Sequence, residues 1–133
     1  MSGLILKLGP NERVLINGAV IQNGLRRASI SIKTQNANIL RLKDAIHPDS
    51  ATTPVGRLCY LAQLVLTGDA QERDAQSSLL EGIEGLVSIF FECDTRNTLE
   101  QAREAVVERN FYLALKKFRL LLPDEARLLA GLT

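Results

Sequence analysis

The sequence is poor in the residues on which metal binding and most catalysis depend. Among its 133 residues it has one histidine and two cysteines, Cys59 and Cys93, which do not form a CxxC pair. This excludes a histidine-based metal cluster and argues against a structural zinc site. His47 precedes Pro48, and the sequence fixes no nucleophile or carboxylate beside it, which favours a structural or surface role over that of a general base. The glycines form neither a GxGxxG nor a P-loop pattern, so we expect a protein that is not an enzyme and uses no cofactor.

Long apolar runs and a secretion signal are also missing. No apolar stretch approaches the roughly 18–20 residues that span a bilayer. The apolar part of MSGLILKLGPNE is far too short for a signal peptide. We therefore expect a cytoplasmic protein without a membrane partner. Because disulfides are unusual in the cytoplasm and both cysteines lie in apolar helical contexts, both thiols are predicted to be free and buried.

Aromatic residues are absent from the first 50 positions, which contain no Phe, Tyr or Trp. This segment carries seven basic and three acidic residues, a net charge of +4, whereas residues 51–133 carry nine basic and twelve acidic ones, a net charge of −3. A basic half beside an acidic half points to a polyanionic partner, although solvated strand faces explain the charge equally well. The lack of aromatics excludes an RNA-stacking platform of the RRM kind.

The first half of the chain has the alternation and the turn residues of short β-strands. Strands are predicted at Leu4–Leu8, Arg13–Ile16, Ala19–Gln22, Ala28–Thr34 and Asn38–Leu42. The turns between them are Gly9-Pro10-Asn11, the type I′ pairs Asn17-Gly18 and Asn23-Gly24, and the polar pair Gln35–Asn36. Five short strands at this spacing suggest a small barrel or sandwich.

The second half has the apolar spacing of helices. A first helix is predicted from Pro54 to Leu66, with Thr at its N-cap and apolar residues on more than one side. A second is predicted from Gln71 or Asp74 to Glu92, and its Gly82 and Gly85 suggest close approach of another helix. A third helical region is predicted from Thr98, with a break at Arg109-Asn110 and a stop at Pro123-Asp124.

Basic residues close to the predicted strands are the remaining functional lead. Single-stranded RNA binders present cations to phosphates, and polar or aromatic groups to splayed bases. The candidates are Lys7, Lys33, Arg41 and Lys43, with Arg26 and Arg27 beside a turn. A second cluster, LKKFR, contains Lys116, Lys117 and Arg119 near a predicted helix C-terminus, where the helix dipole by itself accounts for cations.

Three segments, LILKLGPNERVLINGAVI, ANILRLKDAIHP and ATTPVGRLCYLAQLVL, resemble the FlbT family, cytoplasmic regulators of flagellum assembly in alphaproteobacteria. The resemblance is strongest over residues 1 to about 68. It implies a post-transcriptional regulator that associates with the 5′ untranslated region of flagellin mRNA and alters its translation and decay. In the better-known case the effect is repression, and some relatives look like activators. The resemblance also implies a partner, the FlaF protein, which acts on flagellin in the opposite sense.

The order LIL-K…GPNERVLING…ISIKT…LKDAI is also similar to the carbon-storage regulator CsrA, a strand-exchanged β dimer that binds GGA-containing leaders. This resemblance implies an RNA-binding edge formed by Lys7 and Lys43, with Arg41 nearby, where the first and fifth strands lie adjacent. The sequence departs from the CsrA pattern because Leu8 replaces a second basic residue, the first turn is longer, and Lys43 replaces an arginine. The lysine lacks bidentate geometry, which argues against GGA preference but leaves phosphate binding intact.

These features together predict an α+β protein in one compact unit. Residues 1–50 form a five-stranded antiparallel, CsrA-like basic β module, and residues 51–133 form a bundle of three to four helices. The expected partner is the flagellin mRNA leader. A homodimer is expected because the edges of a tiny sheet and the over-apolar first helix need covering. The alternative is a protein-interaction module that binds flagellin or FlaF through the acidic, Leu-rich residues 69–133, with an indirect effect on the mRNA.

Overall fold

The computed structural model describes residues 4–35 and 37–131, and its architecture is α+β, as predicted. The strands are β1 (Leu4–Leu8), β2 (Arg13–Ile16), β3 (Ala19–Gln22), β4 (Ala28–Ile32) and β5 (Ile39–Arg41). Two short 3₁₀ turns, Leu42–Asp44 and Pro48–Ser50, lead into the helices. These are α1 (Pro54–Thr67), α2 (Glu72–Val87), α3 (Cys93–Val107) and α4 (Phe111–Ala130). The first three strands have the predicted bounds, and β4 and β5 are shorter than predicted.

The first sheet pairs β1 with β4 in antiparallel register. Ile5 lies opposite Ser31, and Lys7 lies opposite Ser29. Between them Leu6 points to the opposite side and is buried, because successive strand residues face opposite sides of a sheet. The sheet therefore has one apolar inner face and one open outer face.

The second sheet has the strand order β3-β2-β5, and both pairings are antiparallel. Its hairpin turns at Asn17 and Gly18, whose φ angles of 49° and 86° are both positive, as a type I′ turn requires. The CsrA-like adjacency of the first and fifth strands is not formed within this chain, because β1 pairs with β4 and β5 pairs with β2.

The predicted second turn of this kind, at Asn23-Gly24, is wrong. Neither residue has a positive φ, because β4 leaves β3 and pairs with β1 in the other sheet. The Asn23 amide instead donates to the Gly9 carbonyl at 2.8 Å and to the Arg26 carbonyl at 2.9 Å, and so holds the crossing segment. The predicted turn at Gln35–Asn36 includes Asn36, which lies outside the described residues.

The start and the end of α1 follow local sequence signals. The Thr53 hydroxyl accepts a hydrogen bond from the Gly56 N–H at 3.1 Å, and Pro54 occupies the first turn. Gly68 ends the helix in the left-handed region at φ 86°. The helix therefore extends one residue beyond the predicted Leu66.

The two glycines of α2 have different roles. A Cβ atom at Gly82 would lie 2.5 Å from Cδ2 of Leu58, so this glycine allows α1 and α2 to approach closely, as predicted. A Cβ atom at Gly85 would meet nothing within 4 Å, so the same prediction is wrong for Gly85.

The boundary between the second and third helices differs from the prediction. α2 ends at Val87 and not at Glu92, and α3 begins at Cys93 and not near Thr98. The reason is a tertiary contact, because the Arg96 guanidinium of α3 donates to the Val87 carbonyl at 3.0 Å. It thereby satisfies one of the carbonyls that the end of α2 leaves without an intrahelical partner.

The predicted stop at Pro123-Asp124 is also wrong, since α4 continues through both residues to Ala130. A proline inside a helix costs about 3 kcal/mol or more. Contacts made beyond the proline offset this cost: the buried carboxylate of Glu125 accepts from the Val55 N–H of α1 at 2.8 Å. This contact also satisfies an N–H at the start of α1 that has no intrahelical acceptor.

The hydrophobic core is divided unequally between the two modules. The helical module buries a large cluster in which Phe118, Leu79 and Leu121 are completely covered. The β module has a small cluster of four buried side chains: Leu6, Leu8, Val14 and Ile39. A small sheet with so few buried side chains depends on the rest of the molecule for its stability.

The modules are joined by hydrogen bonds across the linker. Arg119 of α4 donates to the Asp44 carbonyl at 3.1 Å, and the Gln63 amide of α1 bonds to both backbone groups of Ile46 at 2.7 and 3.0 Å. Tyr112 packs against both core clusters. Within the described residues, no helix is long and apolar enough to cross a membrane.

Candidate nucleic-acid interface

The outer face of the β1–β4 sheet presents the first candidate cation. Lys7 is exposed on β1, beside Ile5 and opposite Ser29. Lys33 follows β4 directly and is four residues from Ser29, a distance of about 13 Å along an extended chain. Both lysines are solvent-exposed. The β1–β4 sheet therefore carries two solvent-accessible cations, Lys7 and Lys33, at separate positions.

Arg41 differs from the other candidates because its side chain is engaged within the protein. Its Nη2 donates to the Lys7 carbonyl at 2.7 Å, and its Nε lies 3.7 Å from Oε2 of Glu12. Only 11% of the side chain is exposed. Arg41 thus connects β5 to β1 and brings the main chain of Lys7 close to the segment that carries Lys43.

Lys43, Arg26 and Arg27 are all exposed. Lys43 lies in the 3₁₀ turn after β5, two residues from Arg41. Arg26 and Arg27 lie between β3 and β4, and the backbone of Arg26 is held by the Asn23 amide. Their side chains make no hydrogen bond or ion pair with any other residue that the structure describes, so they are available to an anionic partner.

Two of the three acidic groups of the β module, Glu12 and Asp44, lie beside arginines, whereas the side chain of Asp49 is 92% exposed. Glu12 accepts from the Gly9 N–H at 2.9 Å and lies beside Arg41. Asp44 faces Arg119 of α4, with 3.8 Å between Oδ1 and Nε. Asp49 lies 3.4 Å from Nδ1 of His47. None of these three carboxylates neutralises the exposed candidate cations.

Lys33 opens onto a groove between the modules, which has a volume of about 620 Å³. Leu4 and Ile32 line one side, and Arg109, Tyr112 and Lys116 line the other. Lys116 Nζ lies 5.1 Å from the centroid of the Tyr112 ring, within the range of a cation–π contact. This groove, called the inter-module groove below, combines cations, an aromatic ring and an apolar wall.

Sequence reasoning did not identify the helical side of this groove. It predicted a helix break at Arg109-Asn110, which is confirmed, because α3 ends at Val107 and α4 begins at Phe111. It did not assign a function to Arg109 or Tyr112. The sequence signal for this role is Arg109 itself, a charged residue inside a helix break, where glycine is the usual residue.

The dipole explanation of the LKKFR cluster is wrong for this structure. Because α4 continues to Ala130, Lys116, Lys117 and Arg119 lie in the middle of the helix, where the dipole has little effect. Lys116 lines the inter-module groove, and Arg119 is paired with Asp44.

The two thiols lie in different surroundings. Cys59 is free and buried, as predicted, whereas Cys93 is exposed at the start of α3, so the prediction that it is buried is wrong. Burial raises the pKa of the Cys59 thiol to about 12. The positive charge of Arg119 lowers this pKa to a smaller extent, and the negative charge of Glu125 raises it. Cys59 is therefore protonated and unreactive at neutral pH.

Chemistry of other kinds has little support in the described part of the chain. His47 is exposed, and its Nδ1 accepts from the Asp49 N–H at 3.1 Å, so it caps the 3₁₀ turn, in line with the predicted structural or surface role. Among residues 4–35 and 37–131, no group of three or more His, Cys, Asp or Glu side chains is arranged to hold a metal ion. The geometry thus defines a small α+β protein whose β module carries exposed cations that form no ion pair among the described residues.

Comparison with known proteins gives the family. The model of the family described as flagellar protein FlbT matches residues 4–129, so this chain belongs to the FlbT family. A relative from Mesorhizobium japonicum, named probable flagellum biosynthesis repressor protein FlbT, is 33% identical over 128 residues, which cover 96% of this chain and 86% of the relative.

Relatives of the same name occur in Brucella. The one from Brucella anthropi is 32% identical over 124 residues, covering 93% of this chain and 80% of the relative. The one from Brucella abortus is 30% identical over 126 residues, covering 95% and 82%. No solved structure matches the chain.

Proposed function

We propose that this chain is a regulator of flagellum biosynthesis that acts after transcription, by binding the 5′ untranslated region of flagellin mRNA. The names of its relatives support a repressor role in flagellum biosynthesis. The chain acts by occupying the leader or by exposing it to a nuclease, with no chemistry of its own. The effect on flagellin synthesis is repression.

One observation carries the RNA-binding part of this proposal. Within the described residues, the exposed cations Lys7, Lys33 and Lys43 form no ion pair, and the carboxylates of Glu12 and Asp44 lie beside Arg41 and Arg119 instead. Single-stranded RNA is a polyanion that such cations bind through its phosphates. Arg26 and Arg27 provide outer contacts. Arg41 acts through its bond to the Lys7 carbonyl, as a positioning residue.

A second candidate function is that of a protein-interaction module for flagellin or FlaF. The observation in its favour is that α4 exposes large apolar side chains: Leu120 is 59% exposed, and Leu128 and Leu129 are 43% and 44% exposed. In this case the helical module binds a protein and the effect on mRNA is indirect. The β module then has no direct contact with RNA.

A salt titration separates the two functions. A labelled transcript of the flagellin leader is titrated with the full chain at several salt concentrations. Each phosphate contact on single-stranded RNA contributes roughly 0.7 to the slope of log K against log salt. The double variant Lys7→Gln/Lys43→Gln is expected to reduce the magnitude of that slope by about 1.4, for two lost contacts.

The matched control is Arg57→Gln/Arg73→Gln, which removes two exposed cations from the helical module instead. Its slope is expected to equal that of the wild type. A wild type that does not bind the leader, or a Lys7→Gln/Lys43→Gln variant that binds as the wild type does, contradicts the proposed interface.

We further propose that the protein is a homodimer in the cytoplasm. All four residues of the edge strand β3 are exposed, with Val20 at 66% and Ile21 at 38%. An exposed apolar edge strand is a site for pairing with another chain. Sedimentation equilibrium gives twice the monomer mass if this holds, and Val20→Lys is expected to return the mass of one chain.

A further inference from the structure

We infer that the inter-module groove is a second part of the RNA-binding surface, in which an unstacked nucleotide of the leader lies between the β module and α4. The inference rests on the proposed RNA-binding function. It adds Arg109, Tyr112 and Lys116 to the interface, and it gives the helical module a direct role.

The first supporting observation is the charge of the groove. Lys33, Arg109 and Lys116 line it against one carboxylate, that of Glu108. The Arg109 and Lys33 side chains make no hydrogen bond or ion pair with the rest of the described chain. Three cations around a volume of about 620 Å³ form an anion site of the size that small ligands occupy.

The second observation is the backbone of Arg109, which lies in the left-handed region at φ 58°. Its N–H bonds to the Val106 carbonyl at 3.0 Å, and the Asn110 N–H bonds to the Ala105 carbonyl at 2.8 Å. This is the hydrogen-bond pattern of a Schellman motif, whose left-handed position normally holds glycine. An arginine here carries a conformational cost, and its side chain makes no hydrogen bond or ion pair with the described residues that would offset this cost, which points to a role for the guanidinium outside the fold.

The third observation is the mixture of surfaces. Tyr112 lines the groove beside the apolar side chains of Leu4 and Ile32. Unstacked RNA bases bind to aromatic faces while their phosphates bind to cations. An acidic peptide would use the cations but not the ring and the apolar wall, so the lining favours a nucleotide.

The fourth observation is continuity. Lys33 belongs both to the groove lining and to the outer edge of the β1–β4 sheet that carries Lys7. An RNA strand that lies along the sheet therefore reaches the groove at Lys33. The first 50 residues contain no aromatic residue. Tyr112 of α4 brings one to the groove together with Lys116, whose Nζ lies 5.1 Å from the ring centroid.

The test uses the full chain and the same labelled leader transcript. The substitution Arg109→Gly removes the cation and places the preferred residue at φ 58°, so the variant is expected to unfold at the same or a higher temperature than the wild type. The double variant Arg109→Gly/Lys116→Gln is expected to lower the magnitude of the salt slope by about 1.4. A purely structural role for Arg109 predicts the opposite combination, lower thermal stability with unchanged binding.

The control Arg57→Gln/Arg73→Gln keeps the groove and loses the same number of charges. If the groove variant binds with the slope and the affinity of this control, the groove inference is overturned while the β-module interface stands. If the wild type itself does not bind the leader, the proposed function fails and the groove inference fails with it. Lys116→Gln alone, at an exposed position of α4, tests the groove without altering the helix break.

Two further readouts identify the occupant. A leader containing 4-thiouridine is expected to crosslink to the peptide that contains Tyr112, and crosslinks confined to residues 4–35 overturn the inference. An oligoglutamate peptide is expected not to displace the RNA. If instead it binds and its binding is weakened by Arg109→Gly while RNA binding is not, the groove is a site for acidic protein segments.

Discussion

The two modules of this protein use their polar residues in different ways. In the helical module, polar side chains stabilise the fold: Glu125 accepts from the Val55 N–H, and Arg96 donates to the Val87 carbonyl. In the β module, Arg41 also stabilises the fold, because it donates to the Lys7 carbonyl. The nearby cation Lys43, in contrast, is exposed and unpaired among the described residues. Arg41 thus belongs to the fold, whereas Lys43 is exposed at the surface, although the two residues are neighbours along the chain.

The same division holds for apolar residues. Phe118 of α4 is completely buried, whereas Ile5 of β1 is 63% exposed. The outward-facing side chains of such a strand contribute little to the free energy of unfolding, because burial of apolar area is the main stabilising term. The following substitutions test this division, from the largest expected effect to the smallest.

The largest effect is expected for Phe118→Ala, which leaves a cavity in the helical core. Truncation of a buried phenylalanine costs about 3–5 kcal/mol. The matched change in the β module, Ile5→Ala, is expected to alter stability by less than about 0.5 kcal/mol. Urea unfolding of both variants measures the difference, and comparable losses would contradict the division of roles.

A smaller loss is expected for Glu125→Ala, which leaves the buried Val55 N–H without its acceptor. Hydrogen bonds to charged groups contribute about 1.5–3 kcal/mol. The control Glu100→Ala, at an exposed position of α3, is expected to have little effect. Equal midpoints of thermal unfolding for the two variants would show that the contact between α4 and α1 does not explain why the helix continues past Pro123.

Within the β module, Arg41→Ala and Lys43→Ala are expected to differ although they lie two residues apart. Arg41→Ala removes the bond to the Lys7 carbonyl and leaves Oε2 of Glu12 without a nearby cation, at a cost of about 1–2 kcal/mol. Lys43→Ala is expected to change stability by less than about 0.5 kcal/mol and to weaken RNA binding. If Lys43→Ala is the more destabilising change, Lys43 is a structural residue.

A gain in stability is expected for Gly85→Ala, in the middle of α2. A Cβ atom has free space there, so the substitution is expected to stabilise the protein by about 1 kcal/mol through helix propensity. Gly82→Ala is the control, since its Cβ would lie 2.5 Å from Cδ2 of Leu58. If the midpoint temperature of unfolding is higher for Gly82→Ala than for Gly85→Ala, the close approach of α1 and α2 at Gly82 is not required.

The two thiols allow a test by chemical modification and by pH. Because burial raises the pKa of Cys59 to about 12, iodoacetamide at pH 8 is expected to modify the exposed Cys93 and to leave Cys59 intact. As the pH rises above 9.0, the ordinary pKa of a cysteine thiol, Cys59 stays protonated in the folded state, whereas it ionises in the unfolded chain. The free energy of unfolding is therefore expected to fall between about pH 9 and pH 12 more steeply than in Cys59→Ala.

Local signals were sufficient wherever neighbouring residues decide the conformation. The positive φ angles at Asn17 and Gly18, the Thr53 cap and the Gly68 end of α1 all follow from short-range chemistry. The break at Arg109 was visible for the same reason, although its role as part of a groove was not.

The failures occur where contacts between distant residues override local preference. Pro123 stops a helix by local rules, but the bond from Val55 to Glu125, 70 residues apart, keeps α4 intact. The pair Asn23-Gly24 has the composition of a hairpin turn, but β4 pairs with β1 and leaves β3. Neither outcome is encoded within a short window of the chain.

By itself, the sequence determined the α+β class, most strand positions, the basic character of the first half and the resemblance to the FlbT family, because alternation, turn residues and charge are local properties. Only the tertiary structure decided which cations remain free. Arg41 lies beside Glu12 because two sheets meet there, and Lys33 joins Arg109 and Lys116 because α4 packs next to the end of β4. Pairing of charges depends on distances in space, and these are set by packing and not by position along the chain.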